Sequence, residues 1–138
     1  MIIENNINST TIDNSICIFK DIACLNKTNP IKNIVFNGYD KNLNYELILS
    51  LAADKNLNLI FVNSKERFPL SFPHAIKEKN KIIKVDNIYM KFLYSSLTGK
   101  NSIMFSKNEE NILFTTKEDL LNNTYIKSLI NKIHIFIN

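Results

Sequence analysis

The apolar positions of this chain fall into short runs with two different spacings. Residues 31–37 carry Ile34, Val35 and Phe36 in succession. These β-branched and aromatic types suit a buried strand, and Gly38 and Asp40 then break the run. Leu43, Leu47, Ile48, Leu51 and Ala52 recur at helical spacing, with Glu46, Ser50 and Asp54 on the other side. That pattern predicts an amphipathic helix over 42–55. A second apolar run occupies 57–62. Strand, helix and strand with short joins make a βαβ unit, so the two strands are expected to be parallel with a right-handed crossover. Leu47, Leu51, Phe36 and Ile60 are its expected core.

The flanking segments are read in the same way. Residues 1–14 are polar, with isolated Ile2, Ile3, Ile7 and Ile12, and predict a loose arm or an edge strand. The run 15–19 suits a strand, and 26–30 is a turn cluster closed by Pro30. A strand is expected at 81–85. Asp86 is a good N-cap for a helix carrying Ile88, Phe92, Leu93 and Leu97, which Gly99 would end in the left-handed conformation. Residues 102–106 and 112–116 are strand-like and joined by the polar link 107–111, which predicts an antiparallel hairpin. Thr116 and Asp119 resemble a capping box. In the helix expected after them, Leu121, Tyr125 and Leu129 form one row and Ile126 and Ile130 the next. Residues 133–137 would close the chain as a strand. The expected class is α/β: a single domain over 1–138 with a central mixed sheet, one βαβ unit, a β-hairpin and about three amphipathic helices.

Composition changes this picture little. The chain has 138 residues, 45% hydrophobic and 22% charged, ordinary values for a globular domain able to support its own core. No apolar run approaches membrane-spanning length, and the start has neither a basic leader nor an apolar h-region, so a cytoplasmic location is expected. Cys17 and Cys24 are separated by six residues. That spacing fits neither a redox C-x-x-C nor a zinc knuckle, and they are read as small apolar side chains in a reduced cytosol.

The net charge is +4, but Arg67 is the only arginine. Arginine is the residue preferred for bidentate phosphate and guanine contacts. Heavy use of Asn, Ile and Lys points to codon bias as the source of the lysines. Nucleic acid is therefore a disfavoured partner, and the lysines of 77–84 read as a solvated loop running into a protected edge strand.

Motifs for chemistry are sparse. The turn after the first strand of the βαβ unit has one glycine followed by Tyr39, and the chain has two glycines in all. A phosphate-binding loop needs more, so no nucleotide cofactor is expected. His74 and His134 have no second histidine at ligand spacing, and no metal is expected. No serine sits in a nucleophile elbow. Asp40, Glu66, Arg67 and Asp86 would lie at the carboxyl ends of strands, where open α/β sheets bind ligands. Paired carboxylates beside an arginine would suit acid–base work, although capping and solvated loop pairs explain the same residues more simply.

The most unusual stretch is the loop 63–74. It carries Arg67, Phe68, Phe72 and His74 together with Pro69 and Pro73, the residue types of partner hot spots. Phe68 and Phe72 would serve either as partner anchors or as loop anchors folded onto the core. Glu109 and Glu110, at the tip of the expected hairpin, offer an acidic contact. Missing catalytic motifs shift weight to binding. The expected function is a protein-binding module, such as a stoichiometric inhibitor or immunity-type protein that neutralises a partner enzyme. A small enzyme with its site at the strand carboxyl ends, or a nonspecific nucleic-acid-binding protein, is the alternative.

Overall fold

The polar N-terminal segment forms strands. β1 (Ile3–Asn5) pairs antiparallel with β2 (Ser9–Ile12), and β2 with β3 (Ile16–Phe19). The second turn is made by Asp13 and Asn14 at φ 51° and 52°, the left-handed conformation these side chains tolerate best. In this computed structural model, residues 1–5, 9–25, 31–72 and 81–137 are described. The chain divides into two compact units, Met1–Ile76 and Lys77–Asn138. Each holds one mixed five-stranded sheet, so the single central sheet expected from the sequence is corrected to two. The broad α/β character stands.

In the first unit the sheet order is β1-β2-β3-β4-β5, with β4 at Asn33–Asn37 and β5 at Asn58–Val62. β3, β4 and β5 run parallel, and helix α1 (Tyr45–Lys55) bridges β4 to β5, the expected βαβ unit. Asn44 caps α1 by accepting the Leu47 N–H at 3.2 Å. Asn56 ends it in the left-handed conformation, its N–H bonded to Ala52 and Ala53 carbonyls, as C-terminal caps require.

The inward face of α1 matches the expected one at Ile48 and Ala52 and departs from it at Leu47. Tyr45, Ile48 and Ala52 are buried, while Leu47 is 45% exposed. The helix starts at Tyr45, whose ring takes the inward position. Leu47 lies two residues on, roughly 200° around the axis, and so points away. Leu51 is half-buried, and Phe36 and Ile60 are buried as expected.

A short 3₁₀ turn at Ile22–Leu25 follows β3. It brings Cys24 back to Cys17 on that strand, and the two are joined as a disulfide in the core formed by Leu25, Ile34, Phe36, Tyr45, Ile48, Phe61 and Phe68. The reading of two reduced thiols is corrected by this pairing. The spacing gave no hint because a bridge across seven positions needs a chain reversal that only β3 and the following turn supply.

In the second unit the sheet order is β10-β9-β8-β7-β6. β6 (Ile82–Val85) and β7 (Ile88–Tyr94) form a hairpin around Asp86 at φ 53° and Asn87. The helix expected after Asp86 is therefore a strand. Ile88, Met90 and Phe92 are buried while Tyr89 is exposed and Lys91 half-buried, a period of two that outweighs the helical spacing of Phe92, Leu93 and Leu97. Gly99, at φ 72°, instead closes a turn in which its N–H donates to the Ser95 carbonyl at 2.8 Å.

β8 (Asn101–Lys107) and β9 (Glu110–Thr115) form the expected hairpin, turned by Asn108 and Glu109 at φ 49° and 70°. β10 (His134–Ile137) pairs parallel with β9, so the helices between them make a second crossover. They are two short helices, α2 (Lys117–Asn122) and α3 (Thr124–Ser128), where one long helix was expected. Asn123 interrupts them: its N–H donates to the Asp119 carbonyl at 2.8 Å, and its Oδ1 accepts the Ile126 N–H at 3.1 Å. Asparagine favours this because its side chain competes for local backbone groups. The break rotates the inward face. Ile126 is buried with Leu120, Leu129 and Ile133 packed around it, whereas Leu121, Tyr125 and Ile130 are exposed.

Candidate functional site

The expected partner loop stands at the carboxyl ends of β4 and β5, where two connections meet. Gly38 follows β4 with φ +102°, and its N–H donates to the Val62 carbonyl at 2.8 Å. A Cβ on Gly38 would come within 2.8 Å of Ser64 Oγ, so glycine is what lets the loop after β5 lie this close. Asp40 does not cap α1. Its carboxylate accepts the Asn42 N–H at 2.9 Å, and its own N–H donates to the Tyr45 hydroxyl at 3.1 Å. Burial raises the pKa of the Tyr45 phenol above its ordinary value. The hydrogen bond from Asp40 opposes this, and the Asp40 carboxylate and Tyr39 add to it.

The loop after β5 is held from behind. Asn63 Oδ1 accepts the Phe68 N–H at 2.8 Å, and the Glu66 carbonyl accepts the Tyr39 N–H at 3.4 Å. The Phe72 N–H donates to the Pro69 carbonyl at 3.0 Å, closing a turn. Phe68 is buried, with ring centroids 5.0 Å from Phe61, 5.5 Å from Tyr39 and 5.7 Å from Tyr45. Phe72 is half-buried and edge-on to Phe61 at 5.1 Å and Tyr45 at 5.3 Å. Of the two roles weighed for these rings, Phe68 has that of a loop anchor.

What the loop presents outward is Lys65, Glu66, Arg67, Pro69, Leu70 and Ser71. Leu70 is 85% exposed. The sequence reading did not single it out, and the only signal was its place between Phe68 and Phe72, both of which turn inward. His74 lies outside the described residues. Glu109 and Glu110 are exposed at the β8–β9 turn, in the other unit.

The carboxylates weighed for acid–base work are divided between the two units. Asp40, Glu66 and Arg67 belong to the first unit. Asp86 belongs to the second, in an antiparallel turn and not at the end of a parallel strand. Neither Asp40 nor Asp86 caps a helix.

A polar cluster that the sequence reading missed lies in the second unit. Asp119 is 0% exposed. Its Oδ1 accepts the Ser95 hydroxyl at 2.5 Å, and its Oδ2 accepts the Thr98 hydroxyl at 2.9 Å and the Thr116 hydroxyl at 3.1 Å. The Asp119 N–H donates back to Thr116 Oγ1 at 3.1 Å, so the capping box at Thr116 is present. Ser95 and Thr98 come from the turn after β7, over twenty residues away in sequence, and nothing local links them to Asp119.

Among the described residues, no group of three or more His, Cys, Asp or Glu side chains is placed to hold a metal ion, and no helix is long and apolar enough to cross a membrane. No protein-family model matches the chain, and no curated protein matches it.

Proposed function

We propose that the chain is a protein-binding module of the inhibitor or immunity type, and that it engages its partner protein through the loop 63–72. The observation that carries this reading is Leu70, 85% exposed on a loop whose neighbouring rings Phe68 and Phe72 are packed inward. An exposed large apolar side chain on an anchored loop loses little ordering entropy on association. Arg67 beside it offers five donors in a planar fork, and apolar anchors with arginine are the residue types enriched at binding hot spots. Glu109 and Glu110 form a separate acidic contact in this reading.

Acid–base chemistry at the strand ends is less well supported. The Asp40 carboxylate already accepts a backbone N–H in its own turn, and Asp86 stands in an antiparallel turn and not at the end of a parallel strand. A cytoplasmic location belongs to the proposal on composition. The Cys17–Cys24 bond speaks against it, because disulfides persist chiefly outside reducing compartments.

The test compares tagged wild type with an Arg67→Ala/Leu70→Ser double variant in capture from the source cells, followed by calorimetric titration of the purified partner. A partner retained by the wild type and weakened at least about tenfold by the variant supports the loop, the size expected for a hot-spot pair. Equal affinity of both proteins for every captured partner removes it.

A further inference from the structure

A cavity of about 390 Å³ opens in the second unit, between the end of β7, the turn that follows it and the start of α3. Its lining includes Lys91, Leu93, Ser95, Asn123, Tyr125 and Ile126. Small-molecule sites typically occupy roughly 300–1,000 Å³, so the volume suits a compact ligand. Leu93 and Ile126 in its lining are buried, Tyr125 is exposed, and the surface it offers is more polar than apolar.

Its wall is already rigid and already satisfied. Ser95 Oγ donates to buried Asp119 and accepts the Asn123 amide at 3.3 Å and the Thr98 N–H at 3.4 Å. Asn123 in turn caps α3. The Ser95 proton is directed inward, and its lone pairs are engaged by the Asn123 amide and the Thr98 N–H. Nucleophilic chemistry at Ser95 would need a base facing the cavity, and among the described residues no histidine or carboxylate lines it. The arrangement is one for holding a ligand.

The charge of that ligand follows from Lys91, the one charged residue in the lining among the described residues. It is half-buried, and its cross-strand neighbours are Ile82 and Met104, both apolar. A half-buried ammonium in a lining that holds no carboxylate among the described residues favours an anion. The surroundings add to this. Residues 1–76 hold seven basic and seven acidic side chains, whereas 77–138 hold ten lysines and six carboxylates, so the net charge of +4 belongs wholly to the second unit. Such a field raises the local concentration of anions.

We propose that this cavity binds a small organic anion, with one phosphate or carboxylate group against Lys91 and a planar or apolar body over Leu93, Ile126 and Tyr125. The site is independent of the loop 63–72. The intact chain, labelled with ¹⁵N, is titrated with phenyl phosphate, with benzoate and with benzamide as the uncharged control, following backbone amides. Saturable shifts confined to residues 91–96 and 123–126 with either anion, and absent with benzamide, are the expected result. Phenyl phosphate alone would assign a phosphate ester, benzoate alone a carboxylate. Lys91→Gln should weaken binding about tenfold, the loss expected for one hydrogen bond to a charged group. Lys127→Gln, outside the lining, should leave it unchanged. Three results would each overturn the site: no saturable shift with either anion, equal binding of benzamide, or equal effects of the two lysine substitutions.

Discussion

The hydroxyl of Tyr45 accepts the backbone N–H of Asp40 at 3.1 Å. This one bond ties the turn after β4 to the first residue of α1, and the same ring meets Tyr39 at 5.3 Å, Phe68 at 5.7 Å and Phe72 at 5.3 Å. The loop 63–72 and the βαβ unit thus share an anchor.

Alkaline stability should report on that anchor. Burial raises the folded-state pKa of Tyr45 above its ordinary value of 10.0. The unfolded chain therefore releases this proton first as pH rises. The stability contributed is complete below pH 10.0 and is lost as pH climbs through the raised folded value. The denaturant midpoint should fall above about pH 10 and fall less steeply in Tyr45→Phe. Parallel pH profiles for the two proteins would show that Tyr45 is not the group responsible.

The rotation of α1 separates two neighbouring residues. Ile48 is 1% exposed and Leu47 is 45% exposed. Ile48→Ala should cost about 2–5 kcal/mol and Leu47→Ala less than about 0.5 kcal/mol, read from chemical denaturation. A cost for Leu47→Ala as large as that for Ile48→Ala would put both residues on the inward face, as the sequence pattern predicts.

Gly38 tests the contact between the two connections. Gly38→Ala places a Cβ against Ser64 in a backbone conformation that alanine disfavours, and should destabilise by about 1–3 kcal/mol. Adding Ser64→Gly removes the steric part and should recover some of the loss. If the second substitution recovers nothing, the approach to Ser64 is not what requires glycine.

The buried carboxylate of the second unit should be costly to remove. Asp119→Ala leaves the Ser95, Thr98 and Thr116 hydroxyls without their shared acceptor, for a loss of about 2–4 kcal/mol. Ser95→Ala removes one donor and should cost less. Equal thermal midpoints for wild type and Asp119→Ala would mean the cluster does not hold α2 to the turn after β7.

The cysteine pair is checked by counting thiols. Protein purified without reductant and unfolded in denaturant should show no free thiol to a chromogenic disulfide reagent. Reduction should then lower stability by about 2–3 kcal/mol, the loop-entropy value for a bridge of this separation. Two titratable thiols in the unreduced sample would return the pair to the reduced reading and favour the cytoplasmic location.

Elements whose signal is local were legible in the residues alone. Ile34, Val35 and Phe36, the helix-spaced residues after them and the run 57–62 made a parallel βαβ unit, because burial on both faces demands unbroken apolar strands. The polar link between 106 and 112 made a hairpin. Thr116 and Asp119 made a cap. Tertiary structure decided whatever depended on a partner distant in sequence. It chose strand over helix at 88–94, because β8 was there to pair with β7 through six register positions. It placed the strands in two sheets, since a strand's pattern does not say which neighbour it will join. It turned Phe68 inward and left Leu70 out, joined Cys17 to Cys24, and surrounded Asp119 with hydroxyls from the turn after β7. Each of these is set by packing and hydrogen-bond satisfaction between segments that no local periodicity relates.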